Sequence, residues 1–582
     1  MCGIFGYYHR QGQSLSEETL RSMGEAIRHR GPDDQGIFIG SGFALGNQRL
    51  SIIDLAGGHQ PFVSDDGQIV VVQNGEIYNH TELAQDLSRT AYACRTHSDT
   101  EVLLRLYERD GISFISKLNG MFAIAIYDAR EQAMYLIRDR IGVKPLYIHD
   151  DGVQLTFGSE IKALLKAGMP SPRMDEVALH HYLSFNYVPA PYTMYEGVKH
   201  LMPGHMIKVT RSGSTVLRWW NLAQVEPIQG RSEDDWIEEF NTILDDAVRL
   251  RLRSDVPFGA FLSGGVDSSS IVGLMARHMT EPVKTFCIGF DDPRYDESVF
   301  AQKAADRFGT QHIMEKVDPD MLSLWPMATY HCDQPHGDVS FLPTYRVSAL
   351  AAKYVKVVLT GDGGDELFAG YDKYKNFFAK PELTEWDNQR FQRNYFDSIS
   401  LFTHQGKQAL YNSAMAKRLD GIDSFDVARP YFEEVSHQDR LNQVLYLDMQ
   451  LLLSGNNLVK PDRMGMAVSL EARMPFLDYR MMEFAFRMPG SMKLKDGVTK
   501  YIYKRAVAPL IGDHLAYRSK QMFTVPVGEW FRTTKSKYCI ENMPNILFDN
   551  NKLGDSVSNH ISGAKNLTRE LRALIALKHW VS

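Results

Sequence analysis

Cysteine is scarce in this chain. Its five cysteines among 582 residues (Cys2, Cys94, Cys287, Cys332 and Cys539) are odd in number and far apart. That spacing offers neither a disulfide framework nor a C-x-x-C zinc knuckle, and it fits a reducing, cytoplasmic setting. No apolar run is long enough to span a bilayer, and no charged segment followed by an apolar stretch opens the chain, so neither a membrane span nor a secretory leader is expected. A strong excess of one charge is also missing. The formal net charge of -7 is small for this length and argues against a surface built for nucleic acid. Repeats and low-complexity segments are absent, and 582 residues exceed what one core supports, so at least two domains are expected.

The chain has two rhythms. Up to about residue 208, short β-branched segments such as 68–72 (QIVVV), 120–127 (GMFAIAIY) and 133–137 (AMYLI) alternate with Gly, Asn and Asp turns, and helical patterns cover 17–28 and 99–108. This predicts an α+β unit of layered antiparallel sheets between helices. Around 218–232 the pattern changes: Ser232 and Asp235 form a capping box, and Trp236, Phe240, Ile243, Ala247 and Leu250 follow as a core-facing stripe. Arg249, Arg251 and Arg253 read as cations complementing that helix's C-terminal dipole. From there strand, loop and helix repeat (258–262 into 271–278, 283–290 into 301–308, then 354–359), which predicts an α/β doubly wound parallel sheet; beyond about 370 the text is mostly helical.

Two Gly-rich loops follow strands in this second half. S-G-G-V-D-S-S at 263–269 offers backbone amides, the Ser263, Ser268 and Ser269 hydroxyls and a helix N-terminus to an anion. It has no lysine, so it is not the G-x-x-x-x-G-K-[ST] loop of kinases and GTPases. Asp267 belongs in an anion cradle only if a divalent cation bridges it to phosphate oxygens. T-G-D-G-G-D-E at 360–366 reads alone as a Gly/Asp turn, but beside the first loop it becomes a second metal-holding wall, with Asp365 opposite Asp267. The segment H-C-D-Q-P-H at 331–336 fits no common zinc spacing and leaves Asp333, Asp338 and Ser340 as candidates for contacting nucleotide or acceptor.

S-G-G-V-D-S-S resembles the pyrophosphate loop of ATP pyrophosphatases. Together with T-G-D-G-G-D-E-L-F-A-G-Y, D-R-M-G-M-A-V-S-L-E-A-R-M-P-F-L-D at 462–478 and R-S-K-Q-M-F-T-V-P at 518–526, it makes essentially the whole chain resemble glutamine-hydrolysing asparagine synthetases. The resemblance implies a class II glutamine amidotransferase of the N-terminal-nucleophile type at 2–210, a linker at 211–230 and an ATP-pyrophosphatase synthetase domain at 231–582.

In that frame M-C-G-I-F-G acquires a meaning. With Met1 removed, Cys2 attacks the amide of L-glutamine, its own α-amine shuttles the proton, and ammonia leaves. The resemblance further implies that Arg49 holds the glutamine α-carboxylate, Asp99 its ammonium, Glu76 helps to bind it, and Asn74 with Gly75 forms the oxyanion hole. Asn-Gly alone would read as a hairpin turn. On the synthetase side it implies that ATP, with Mg2+ on Asp267 and Asp365, occupies Ser263, Gly264, Gly265, Asp267, Ser268 and Ser269, and that Leu262, Ile288, Thr360 and Gly361 line adenosine and ribose. Lys520 would stabilise the transferring phosphoryl group, and Asp362 stands where the family often has a glutamate base. L-aspartate is the implied acceptor, with a sugar uronate, a peptidoglycan carboxylate or a natural-product precursor as the alternative. An interdomain ammonia tunnel and a homodimer are also implied. A non-enzymatic relative would be expected to have lost catalytic positions, yet Cys2, Arg49, Asn74, Asp99, Asp267, Asp365 and Lys520 are all present.

Overall fold

The computed structural model describes residues 2–168, 173–317, 321–519 and 547–581. Twelve strands build the first half: β1 (Cys2–His9), β2 (Asp34–Gly40), β3 (Phe43–Arg49), β4 (Phe62–Val63), β5 (Ile69–Ile77), β6 (Gly120–Asp128), β7 (Ala133–Arg138), β8 (Tyr147–Asp150), β9 (Gln154–Gly158), β10 (Val198–His200), β11 (His205–Thr210) and β12 (Gly213–Arg218). They form two six-stranded sheets, ordered β10-β8-β9-β1-β3-β2 and β12-β11-β7-β6-β5-β4. The pairings within both are antiparallel.

Successive strand side chains face opposite sides, and β5 uses both. Val70 and Val72 pack with Ile4, Leu45 and Phe157 between the sheets, while Ile69 and Val71 pack with Val102 and Leu106 of the Asp99–Asp110 helix. The outer face of the first sheet is covered by the Glu17–Ala26 helix through Leu20 and Met23. The result is helix, sheet, sheet, helix, as the alternating pattern predicted. The Asn74-Gly75 pair is not a turn: it lies inside β5, where Asn74 pairs with Ala123 and Gly75 with Phe122.

The second half holds a five-stranded sheet of β13 (Phe258–Phe261), β14 (Lys284–Gly289), β15 (Gln311–Lys316), β16 (Val357–Leu359) and β17 (Glu471–Arg473). The order is β15-β14-β13-β16-β17, every pairing parallel. The chain steps outward from β13 to one edge, then returns to β16 on its other side. That reversal between β13 and β16 opens a crevice beyond the strands' carboxyl ends, where doubly wound sheets take their ligands. Helices surround the sheet, and most of the chain after residue 370 is helical. The Glu233–Arg251 helix starts as its capping box predicted, with Ser232 Oγ accepting from the Asp235 N–H at 3.2 Å. Trp236, Phe240, Ala247 and Leu250 are buried.

The two halves share a core: Leu50, Ile52, Tyr78, Met121 and Tyr182 join the same apolar cluster as Phe240 and Phe484. No described helix is long and apolar enough to cross a membrane.

Candidate active sites

Cys2 opens β1 opposite Arg49 of β3 and is 5% exposed. Its backbone nitrogen stands 3.2 Å from Asn74 Oδ1, and Asn74 Nδ2 donates to Ser159 Oγ at 3.3 Å. Burial raises the Cys2 thiol above its ordinary value, opposed by the Leu50 N–H, the Asn47 side chain and the Arg49 charge. At Gly75 the backbone has φ +155°, and an added Cβ would meet the Met121 carbonyl oxygen at 2.0 Å, so only glycine fits. Asp99 begins the Asp99–Asp110 helix and accepts from Gln73 Nε2 (2.9 Å) and the Ile77 N–H (3.0 Å). Glu76 is buried 3.5 Å from Arg473, and burial pushes its carboxyl well up. Arg49 donates to the carbonyls of Ile53 and Asp54 at 3.1 and 2.8 Å, thereby holding the loop beside Cys2. The structure thus gathers the Cys2, Arg49, Asn74, Gly75, Glu76 and Asp99 expectations around adjoining strand ends.

The second site forms at the reversal of the parallel sheet. Leu262 and Ile288 are buried at the ends of β13 and β14, and Thr360 and Gly361 follow β16. In the 263–269 loop, Ser263 Oγ and Ser268 Oγ lie 3.2 Å apart, and the Gly265 N–H donates to Ser263 Oγ. The Val266–His278 helix starts at this loop, with Ser268 and Ser269 in its first turn. Gly264, at φ +68°, passes so close to Phe300 that a Cβ would stand 2.2 Å from its carbonyl carbon. Arg518 clamps the loop by donating to the Gly264 carbonyl at 2.9 Å while paired with Glu297 at 2.6 Å.

Lys500 is the residue that sequence reasoning missed. Its ammonium, 3% exposed, lies 2.6 Å from Asp267 and 2.7 Å from Asp365, bridging the two Gly-rich loops. Burial alone would depress it; the Asp267 and Asp365 charges outweigh that and hold it above its ordinary value. Only the G-V-T-K run before the Tyr501–Ile511 helix marks this lysine in the sequence, and no spacing rule points to it. The carboxylate pair therefore demands positive charge between its members. Its hard oxygen donors fit Mg2+, which typically takes one or two carboxylates and completes its shell with phosphate oxygens and water. Among the described residues no group of three His, Cys, Asp or Glu stands ready to hold a metal unaided.

Asp362 accepts from Thr360 Oγ1 at 2.6 Å; burial raises its carboxyl, partly offset by the Lys460 charge. Glu366 accepts from the Tyr371 hydroxyl (2.7 Å) and Asn457 Nδ2 (2.5 Å). Lys520 lies outside the described residues.

The two halves are joined by buried charge. Arg30, 0% exposed, donates to the Cys2 carbonyl at 3.2 Å, to Glu160, and with both Nη atoms to Asp462. Arg463 pairs with Glu160 at 2.8 Å, and Lys144 approaches Asp462 at 3.4 Å. Asp333 belongs here rather than to the nucleotide crevice: it pairs with Lys162 and accepts the Ile161 N–H. Its neighbour His331 packs edge-on against His29, ring centres 4.7 Å apart. Arg251 and Arg253 do more than cap their helix, pairing with Asp478 and Glu82 respectively.

A family model described as asparagine synthase matches residues 239–582, and one described as glutamine amidotransferase domain matches residues 1–220. The chain is 34% identical over 572 residues to glutamine-hydrolyzing asparagine synthetase 1 of Bacillus subtilis, spanning 92% of this chain and 89% of that protein. It is 32% identical over 584 residues to a putative glutamine-hydrolyzing asparagine synthetase of Mycobacterium tuberculosis, spanning 91% and 88%. Identity to the amidase chyE of Penicillium rubens is 28% over 612 residues, spanning 91% and 89%. A cysteine-headed strand joined through buried charge to the parallel-sheet half, with both domain models matched in order, places this chain in the asparagine synthase family as an ATP-using synthase domain behind a glutamine amidotransferase domain.

Proposed function

We propose that the chain is a cytoplasmic glutamine-dependent asparagine synthetase, converting L-glutamine, L-aspartate and ATP into L-glutamate, L-asparagine, AMP and pyrophosphate. The boundary between its units falls within 211–230, after β12 has closed the second sheet. With Met1 removed, Cys2 Sγ attacks the glutamine amide carbon while the α-amine takes the thiol proton and delivers it to the leaving ammonia; water then hydrolyses the γ-glutamyl thioester. Asn74 and the Gly75 N–H face the oxyanion that develops, and Arg49, Glu76 and Asp99 hold the amino-acid end.

In the crevice a carboxylate oxygen of aspartate attacks the α-phosphorus of ATP, and pyrophosphate departs into the 263–269 loop. Asp267 and Asp365 would hold Mg2+, which would supply charge neutralisation to the phosphate oxygens. Lys500, between Asp267 and Asp365, offers its ammonium to the departing pyrophosphate, and Lys520 adds a second. Ammonia attacks the acyl carbon, AMP leaves, and Asp362, raised by burial, is placed to take the surplus proton.

The observation that carries this reading is the Arg30 bridge, which ties the backbone of Cys2 to Asp462 of the Val459–Met466 helix and so links the two halves through buried charge. The testing assay supplies glutamine and MgATP with and without aspartate. Aspartate-dependent asparagine, AMP and pyrophosphate are expected. Glutamate release without any response to aspartate would reassign the acceptor, and ADP as the spent nucleotide would overturn the chemistry.

A further inference from the structure

A buried cation of the parallel-sheet half reaches across the junction toward Glu76. Arg473 closes β17, the edge strand beside β16, and is 0% exposed. Its backbone and its side chain serve different ends of the molecule. In register with Leu359 of β16, its carbonyl accepts the Thr360 N–H at 2.9 Å, where the 360–366 loop begins. Its guanidinium enters the other half and brings Nη2 to 3.5 Å from Oε1 of Glu76.

The other nitrogens of this guanidinium are committed. Nε pairs with Glu471 Oε1 at 2.5 Å, two residues back along the strand, and Nη1 donates to the carbonyls of Arg251 and Arg253 at 2.9 and 2.6 Å. A planar fork held at two nitrogens has little freedom left at the third. Among the described residues Nη2 makes no hydrogen bond, and its ion pair is with Glu76. A buried donor so placed costs free energy until an acceptor closes on it. The segment that carries Glu76 is fixed by neighbouring arginines: Arg253 donates to the Tyr78 carbonyl at 2.6 Å and pairs with Glu82, and the Arg251 guanidinium lies 4.3 Å from the Tyr78 ring centre.

Glu76 needs such a partner. Burial and the charges of Glu471 and Asp99 disfavour its ionised form, and Arg473 is foremost among the groups that favour it. A neutral carboxyl would offer an ammonium group no counter-charge. Resting on the reading of Cys2, Glu76 and Asp99 as a glutamine site, we propose that Arg473 is a positioning residue for glutamine: its guanidinium, fixed by the synthetase half, holds the Glu76 carboxylate where it receives the substrate's ammonium. The strand that seats Thr360 thereby also sets the affinity for glutamine.

The test measures glutamine hydrolysis by the full chain, with glutaramate, which is glutamine without its α-amine, as competitor and ammonia-dependent synthesis as the report on folding. Arg473→Gln is expected to raise the glutamine KM about 10- to 100-fold, the range of a lost charge-assisted contact, with kcat within about threefold. Glutaramate inhibition should change by less than about threefold, since this competitor has no ammonium for Glu76 to meet. Glu76→Gln should raise the glutamine KM by a similar factor, and adding Arg473→Gln to it should cost less than about twofold more, because both act on one contact. Arg473→Lys keeps the charge and should recover part of the loss; where Arg473→Gln also loses ammonia-dependent synthesis, Arg473→Lys decides the question with the same two ligands. Equal weakening of glutamine and glutaramate, or additive effects of Glu76→Gln and Arg473→Gln, would overturn the assignment while leaving the functional reading intact. A wild-type chain that releases no ammonia from glutamine would instead overturn that reading and this inference with it.

Discussion

Single residues here are decided by what burial does to charge. Lys493 is fully buried, donates to Asn442 Oδ1 at 2.8 Å, and is depressed by burial from 10.5 to about 7. Between those values the folded chain binds fewer protons than the unfolded one, so stability rises with pH across that window, and the penalty is full below the folded value. Lys493→Met is therefore expected to stabilise by about 2 kcal/mol at about pH 6.5, with the gain fading toward about pH 10, as thermal unfolding across pH will read. Lys500 presents the opposite case, since its two carboxylates make its charge native. Lys500→Gln leaves Asp267 and Asp365 facing each other; we expect ATP–pyrophosphate exchange to fall about 100-fold or more while glutaminase turnover persists. Separate assays of the two halves check this.

At the scale of elements, the crevice depends on two loops that each hold a glycine at positive φ against a close neighbour, Gly264 and Gly363. A Gly264→Ala chain must place a methyl group against the Phe300 carbonyl at positive φ. The strain is about 2 kcal/mol or more, and relieving it displaces the phosphate loop. The expected outcome is a rise of about tenfold or more in the ATP KM with an unchanged circular dichroism spectrum. The Asn-Gly pair of β5 carries a different lesson. Its local preference for a turn is overruled because β5 pairs with β6 along nine residues, and only that pairing brings Asn74 under Cys2. Likewise the Met449–Asn457 π-helix has no sequence signature, because the inserted turn is stabilised by the contacts of Asn456 and Asn457 rather than by local propensity.

The whole molecule is held at its junction by ions that water does not reach. Arg30, Lys144, Lys162 and Arg463 meet Glu160, Asp333 and Asp462, each no more than about 10% exposed. Such networks add little net stability when complete but are costly when broken. Asp462→Ala removes the carboxylate beside Lys144 and leaves Arg30 with Glu160 alone, and a loss of about 3 kcal/mol is expected, read as a lowered Tm. Because Asp462 shares the Val459–Met466 helix with Lys460 and reaches the Cys2 carbonyl through Arg30, the same variant is expected to raise the ratio of glutamate to asparagine produced above one. A quantitative product balance checks that expectation.

Much was decided by the sequence alone. Alternating strands against helical stripes set the two fold classes, the capping box placed the Glu233–Arg251 helix, and Gly-rich loops after strands marked the carboxyl end of the parallel sheet, since each depends on near neighbours in the chain. Cys2 stood out by its position at the head of the chain, but its proposed role came only with the resemblance of the whole chain. What stayed hidden depends on partners hundreds of residues apart. Asp333 looked like a contact for nucleotide or acceptor and serves the junction; Lys500 drew no reading from the sequence and stands between two carboxylates. Their roles are electrostatic, and a side chain's charge environment exists only once the tertiary fold has removed the water around it and brought its counter-charges within a few ångströms.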